Sequence, residues 1–134
     1  MEQLALLSNR KRKSAARLTR NSKIIKTIIS AIQAKKGENI ISLDLRKIHE
    51  AVADFFIICE ANNQPQIKAL SEYVEEQVGE KCNEKPYHQE GYQALKWVLI
   101  DYVNVVVHIM TPETRNFYKL EEMWSDGNAE KHSD

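Results

Sequence analysis

The chain has 134 residues, in which 19 Lys and Arg balance 19 Asp and Glu. This length accommodates one domain and excludes two, and an apolar content of 43 % is enough for an ordinary hydrophobic core. The two cysteines, Cys59 and Cys82, lack the spacing of a disulfide framework or a zinc site, which favours a reducing compartment. No apolar run approaches the length of a membrane span, so the sequence predicts a soluble protein.

Charge is distributed unevenly along the chain. Residues 1–21 carry six Lys or Arg and one Glu, a net charge of +5, and the remainder therefore carries −5. We expect residues 1–21 to be a basic, disordered extension; the alternatives are an organelle transit peptide and a basic arm in which residues 10–20 contact RNA directly. Residues 22–126 are expected to form the domain, and residues 127–134 a polar C-terminal tail, with fraying from Ser125 onward.

The first predicted elements are a helix and two strands. Ser22 is a typical N-cap, and isoleucines at helical spacing continue as far as a stop at Lys35-Lys36-Gly37. Residues 39–45 alternate between apolar and polar side chains, as in a half-covered strand. Residues 55–59 are apolar at every position, which predicts a central strand with helices packed above and below the sheet.

The middle of the chain predicts a second helix and a hairpin. Asn63 and Gln66 form a capping box for a helix that ends in a loop from Gly79 to Pro86. A short strand near His88 then precedes two strands over 97–102 and 104–110, which should form an antiparallel hairpin with Asn104 at positive φ.

Thr111-Pro112-Glu113 begins the last predicted helix with a cap, a first-turn proline and an acid. Its Phe117, Leu120 and Trp124 recur at helical spacing and should dock on the sheet. The order of elements predicts an α/β domain in which a mixed β-sheet is layered with helices, and it disfavours a purely parallel sheet.

Signals for catalysis are weak. The loop from Glu60 to Asn63 has no glycine and places a carboxylate where a bound phosphate would lie. The four histidines share no metal-binding spacing, and Cys59 at the end of an apolar strand is interpreted as a core residue. Nothing makes the carboxylates of Glu90 and Asp101 converge. We therefore predict no catalytic residues, no metal and no cofactor.

The most informative segment is Trp97-Val-Leu-Ile-Asp101-Tyr102. Strand alternation places Trp97 and Asp101 on one face, and if the helices cover the other face these two side chains form an aromatic and charged pair typical of protein interfaces. The alternative is that Trp97 belongs to the core. His108 on the next strand is interpreted as a packed sheet residue, with a surface contact and a catalytic base as alternatives.

Taken in order, six segments of the chain resemble the ribosomal silencing factor family, also called the Iojap-like family. The resemblance runs from about Ser22 to Asp126 and depends on the ordered set rather than on any single piece. The segments are Asp54-Phe-Phe-Ile-Ile58, Asn63 with Gln66, Glu90-Gly91, Trp97-Val-Leu-Ile-Asp101-Tyr102, Val105-Val-Val-His108 and Arg115-Asn-Phe-Tyr-Lys-Leu-Glu-Glu-Met-Trp124.

The resemblance implies a translational repressor that is not an enzyme. It would bind the large ribosomal subunit through that subunit's fourteenth ribosomal protein and block association with the small subunit when nutrients are limiting. It also implies a fold similar to the nucleotidyltransferase superfamily, homodimers, no membrane partner, and action in the cytoplasm in preference to an organellar matrix. The implied partner-binding residues are Trp97, Asp101 and Tyr102, with His108 and the start of the last helix nearby.

The sequence departs from the family pattern at two places. Ala61 stands where a glycine is usual, and Val103-Asn104 stands where Gly-Asp is usual in the hairpin turn. The rival interpretation is a nucleotidyltransferase enzyme on the similar fold. That activity would require a Gly-Ser loop followed by spaced metal-binding acids, which the loop at 60–63 lacks.

Overall fold

The computed structural model describes residues 18–124 and 127–133, so most of the predicted N-terminal extension lies outside the described residues. The described chain forms helices and strands in an order that agrees with the sequence prediction as far as the hairpin. The elements are α1 (Lys23–Ala34), β1 (Glu38–Asp44), β2 (Phe55–Glu60), α2 (Gln64–Cys82), β3 (His88–Glu90), β4 (Trp97–Asp101), β5 (Val105–Met110), α3 (Pro112–Tyr118), α4 (Leu120–Met123) and β6 (Asn128–His132).

The strands form one six-stranded mixed sheet in the order β3-β4-β5-β2-β1-β6. The central pair, β2 and β5, is parallel, in register from Phe55 opposite Val105 to Glu60 opposite Met110. The other neighbouring pairs are antiparallel, including the β4–β5 hairpin. The predicted mixed sheet is thereby confirmed, and β2 is buried on both faces because it lies at the centre of the sheet.

One face of the sheet is covered by α1 and α2. Apolar residues of both helices pack on the side chains that the sheet presents to this face. These are Phe55 and Ile57 of β2, Val98 and Ile100 of β4, and Val107 of β5. The spacing of isoleucines in α1 produces this packing, since its buried positions recur every three or four residues. The predicted amphipathic helix is confirmed, with Lys36 rather than Gly37 in the left-handed conformation after its end.

The opposite face is covered by the segment between β1 and β2 and by the last helices. Its buried cluster joins Leu45 and Ala53 of that segment to Leu120 of α4 over Phe56, Trp97 and other sheet residues. Helical and loop layers therefore enclose the sheet on both sides, as expected from the apolar pattern of β2.

The start of α2 has the predicted cap at Asn63, although the Gln66 side chain accepts from the Asn62 N–H at 3.1 Å and not from the Asn63 N–H. The Asn63 side chain accepts a hydrogen bond from the Gln66 backbone N–H at 2.9 Å, and Pro65 lies in the first turn. The predicted end of this helix was wrong, because the sequence predicted a loop from Gly79 onward and α2 continues to Cys82. It stops at Asn83, whose φ of 53° is the left-handed conformation that commonly ends helices.

The β4–β5 turn is also corrected. Val103, not Asn104, has positive φ, at 72°. The Tyr102 carbonyl accepts from the Asn104 N–H at 2.9 Å, which makes a γ-turn centred on Val103, and the Asp101 Oδ1 accepts from the Val103 N–H at 2.7 Å. A β-branched residue is strained at positive φ, and the buried carboxylate of Asp101 helps to hold it there.

The C-terminal part differs most from expectation. Lys119, with a φ of 49°, separates α3 from α4, so Phe117 no longer shares a face with Leu120 and Trp124 and is 77 % exposed. The expectation of fraying from Ser125 onward was wrong for residues 128–132, which pair with β1 as strand β6. Backbone pairing decides this, since the side chains of β6 are almost all exposed.

Within the described ranges, 18–124 and 127–133, no helix is both long enough and apolar enough to cross a lipid bilayer.

Candidate functional site

The residues singled out from the sequence separate onto two faces of the sheet. Trp97 and His108 lie on the face opposite α1 and α2, where the Trp97 indole N–H donates to His108 Nδ1 at 3.0 Å. Tyr102 packs instead among the residues beneath α1 and α2. The structure therefore brings Trp97 and His108 together and leaves Tyr102 on the other side.

Trp97 is a core residue at the edge of its cluster. It is 8 % exposed, so the alternative that placed it in the core describes its position, although one edge reaches the surface. It packs against Tyr118 of α3, with ring centroids 4.8 Å apart. Tyr118 in turn contacts the exposed ring of Phe117 at 5.0 Å. We call this run from the surface inward, Phe117, Tyr118, Trp97 and His108, the aromatic chain.

His108 is fully buried, and its hydrogen bond defines its protonation state. The indole of Trp97 only donates, so Nδ1 of His108 is the acceptor and the neutral ring carries its proton on Nε2. Burial lowers the pKa of His108 to about 3. Its Nε2 has no hydrogen-bond partner in the described part of the chain, and the ring of Phe56 packs edge-on at 4.6 Å. The interpretation as a packed sheet residue describes this environment.

Asp101 is fully buried at the end of β4. Its visible role is to accept the Val103 N–H in the hairpin turn. Tyr102 is 1 % exposed, and burial raises the pKa of its phenol. All four predicted partner-binding residues are buried, and Trp97 is the most exposed of them at 8 %.

Phe117 and Tyr118 lie between Trp97 and the surface of the molecule. Sequence reasoning missed Phe117 as a surface residue because it assumed one continuous helix through Trp124. The left-handed Lys119 that breaks the helix has no sequence signal comparable to Gly or Pro. Both aromatics lie in the segment that carries the family resemblance, which was the available pointer.

A charged cluster lies where β2 and β5 end. Arg115 of α3 donates to Glu60 at 3.1 Å, to Glu121 at 2.6 Å and to the Asn39 carbonyl at 2.6 Å. The guanidinium is largely buried and bonded to both carboxylates, so it fastens the last helices to the end of the central strands. Glu60 therefore faces an arginine rather than an open phosphate site.

The residues suggested for catalysis remain apart or inert. Burial raises the pKa of the Cys59 thiol to about 12, so this cysteine stays protonated as a core residue. Glu90 and Asp101 lie on neighbouring strands, but Glu90 is paired opposite Leu99, whereas Asp101 is opposite His88. Among residues 18–124 and 127–133, no three His, Cys, Asp or Glu side chains are grouped as metal ligands.

Comparison with known proteins supplies the family. A family model described as "Ribosomal silencing factor during starvation" matches residues 19–134. The ribosomal silencing factor RsfS of Halalkalibacterium halodurans is 34 % identical over 106 residues, which cover 79 % of this chain and 89 % of that protein. RsfS of Bacillus subtilis is 35 % identical over 103 residues, covering 77 % and 86 % respectively.

A solved structure is similar as well. The crystal structure of a protein from Chromobacterium violaceum superposes with a TM-score of 0.73 at 33 % identity, covering 77 % of this chain and 84 % of that one. The fold and the sequence thus agree over most of the length of each relative. The chain therefore belongs to the ribosomal silencing factor family, a family of ribosome-associated regulators of translation rather than of enzymes.

Proposed function

We propose that this protein represses translation by binding the large ribosomal subunit through its fourteenth ribosomal protein and so obstructing association with the small subunit. Membership of the ribosomal silencing factor family is the observation that carries this proposal. The family's description names starvation, which supports a role under nutrient limitation. The same membership favours action in the cytoplasm, where ribosomal subunits join.

The aromatic chain is the surface best suited to the ribosomal protein. Phe117 projects into solvent with 77 % of its surface exposed, while Tyr118 beneath it is held by Trp97. An exposed aromatic ring on a rigid, packed base is the arrangement of an interface hot spot, because little side-chain entropy is lost on binding. Met123, 44 % exposed, lies on α4, the helix that follows.

The predicted partner-binding residues have supporting roles in this proposal. Trp97 and His108 fix the position of Tyr118 from below, and Asp101 holds the turn that closes the same hairpin. Tyr102 faces α1 and α2 and is not included. We therefore move the direct contact from the four predicted residues to Phe117 and Tyr118.

Obstruction requires affinity but no chemical step. Binding of most subunits at micromolar concentration needs about −8 kcal/mol, and a few central anchors of roughly 2 kcal/mol each supply a large share. Loss of one such anchor weakens binding by about 30-fold, since each 1.4 kcal/mol is tenfold. This is the effect expected of Phe117→Asp.

The test is sedimentation of purified ribosomal subunits on sucrose gradients with the protein present. We expect the wild type to co-migrate with the large subunit and to reduce whole ribosomes, and Phe117→Asp to lose both effects. Tyr87→Asp is the matched control, because Tyr87 is also an exposed aromatic, at 66 %, but lies beside β3. Equal activity of the two variants would refute the assignment of the surface.

Three further measurements test the remaining expectations. Reconstitution with large subunits lacking the fourteenth ribosomal protein should abolish co-migration, and retained co-migration would contradict the proposed partner. Sedimentation velocity of the protein alone tests the homodimer implied by the resemblance. A nucleotidyltransferase activity would be revealed by transfer from labelled ATP with magnesium, and we expect none.

A further inference from the structure

A patch of lysines lies on the side of the molecule covered by the helices. Residues 22–37 contain four lysines and no acid, although the chain from residue 22 onward has a net charge of −5. Lys23 and Lys26 of α1 meet Lys81 of α2 around one surface cavity of about 330 Å³. We call these three residues the lysine patch. The cavity is lined by Asn21, Lys23, Lys26, Thr27, Ser30 and Lys81.

The packing of the two helices fixes this arrangement. The Cys82 thiol lies 3.6 Å from the Thr27 hydroxyl and bonds to it, which holds the last turn of α2 against α1. Ile28 of α1 and Val78 of α2 are both fully buried in the core that the two helices share with the sheet. Lys81 is therefore held across the cavity from Lys23 and Lys26 by the fold itself.

The charges of the patch are uncompensated. All three lysines are exposed, and within residues 18–124 and 127–133 none of them has an ion-pair partner. Three like charges that line one cavity repel one another, since no carboxylate in the described part of the chain is paired with them. A bound polyanion would relieve this repulsion.

We propose that the lysine patch binds the phosphate backbone of RNA. Amide and hydroxyl side chains interleaved with lysines, as Asn21 and Ser30 are here, match the groups that contact phosphates in nucleic-acid complexes. A membrane surface fits less well, because it requires exposed apolar side chains among the basic ones. The exposed large apolar residues in the described ranges are Tyr87, Phe117 and Met123, none of them on α1.

The choice of RNA rests in part on the proposed function, since a factor on the large subunit meets ribosomal RNA beside ribosomal protein. The patch lies on the face of the domain opposite the aromatic chain. One molecule therefore engages a protein through α3 and RNA through α1 at the same time, which orients it on the subunit.

The test is fluorescence anisotropy of a labelled 16-nucleotide oligouridylate with the full chain over a range of potassium chloride concentrations. Three contacts to single-stranded RNA contribute a slope of about −2 to log K against log salt, and hence about 100-fold in affinity at 0.1 M salt. We expect the Lys23→Gln, Lys26→Gln, Lys81→Gln triple variant to lose both. The corresponding triple arginine variant should keep both, because it keeps the charges.

Lys47→Gln, Lys68→Gln, Lys85→Gln is the matched control, with the same change in net charge at exposed lysines outside the cavity. We expect wild-type binding from it. The proposal is overturned if the patch variant keeps the wild-type salt slope, or if the control variant loses as much affinity for the oligouridylate. Binding to phosphatidylglycerol vesicles is measured in parallel. A patch variant that loses vesicle binding but keeps oligouridylate binding also overturns the proposal. Phe117→Asp should leave oligouridylate binding unchanged, so failure of the ribosomal protein contact and failure of the RNA contact give different results.

Discussion

The effect of pH on stability tests whether burial keeps His108, the innermost residue of the aromatic chain, neutral. The imidazole is fully buried, accepts the Trp97 indole N–H and packs against Phe56. Burial lowers its pKa from 6.5 to about 3, because a charged ring would lose its hydration without gaining a counter-charge. Lowering the pH from 7 to 5 should therefore destabilise the folded protein through this residue.

The sign and size follow from proton binding in the two states. Below pH 6.5 the unfolded chain takes up a proton at His108, whereas the folded protein takes it up only near pH 3. The unfolded state therefore binds more protons, and the free energy of unfolding falls as the pH falls between these values. At about 1.4 kcal/mol per pH unit, the loss between pH 6.5 and pH 5 is about 2 kcal/mol.

Urea unfolding followed by circular dichroism at pH 7 and pH 5 measures this loss. The pKa of Asp44 is lowered mainly by its hydrogen bond with Arg46, so this carboxylate contributes only at more acidic pH. His108→Gln keeps a neutral acceptor for the Trp97 N–H and cannot charge. We expect this variant to be less stable at pH 7 and to lose most of the pH dependence.

His49→Gln is the control, since it removes an exposed imidazole and leaves the buried cluster intact. It should keep the wild-type dependence on pH. Equal stability of the wild type at pH 7 and pH 5, or an unchanged slope in His108→Gln, would refute the reasoning that burial keeps His108 neutral.

Three further predictions concern the fold that carries the site. Gly91→Ala should destabilise the domain by at least about 3 kcal/mol, because an added Cβ would meet the Trp97 carbonyl at 1.9 Å and the φ of Gly91 is +93°. Thermal unfolding measures this loss, and unchanged stability would contradict the geometry. Gly79→Ala in the same assay should instead stabilise by up to about 1 kcal/mol, because the site is helical and the new methyl group meets nothing within 4 Å. Truncation after Gly127 removes β6 and should cost about 1–2 kcal/mol with loss of hydrogen-exchange protection in β1, whereas a frayed tail would be removed without effect.

The sequence predicted those features that depend on local patterns. Isoleucine spacing identified α1, the uniformly apolar run identified β2 as a central strand, and Asn63 with Gln66 identified the start of α2. These elements are specified by side chains within one or two turns of each other, so a single sequence contains the required information.

The errors arose where single hydrogen bonds and backbone pairing, rather than the pattern of apolar side chains, decide the conformation. Val103 takes positive φ because Asp101 and the pairing of β4 with β5 hold the turn, against the local preference for Asn104. Strand β6 forms because β1 offers it an unpaired edge, although its own side chains are polar and exposed. The alternation around Trp97 gave its face correctly, but not the segments that cover that face.

The two edges of the sheet bear on one kind of self-association, the pairing of edge strands from two copies of the chain. At one edge β3 has only three residues, and at the other β6 presents Asn, Ala, Glu, Lys and His. Short or charged edge strands resist the addition of a foreign strand, which is the usual route to aggregation of β-sheets. Both edges of the sheet therefore oppose strand-to-strand association between copies of this chain.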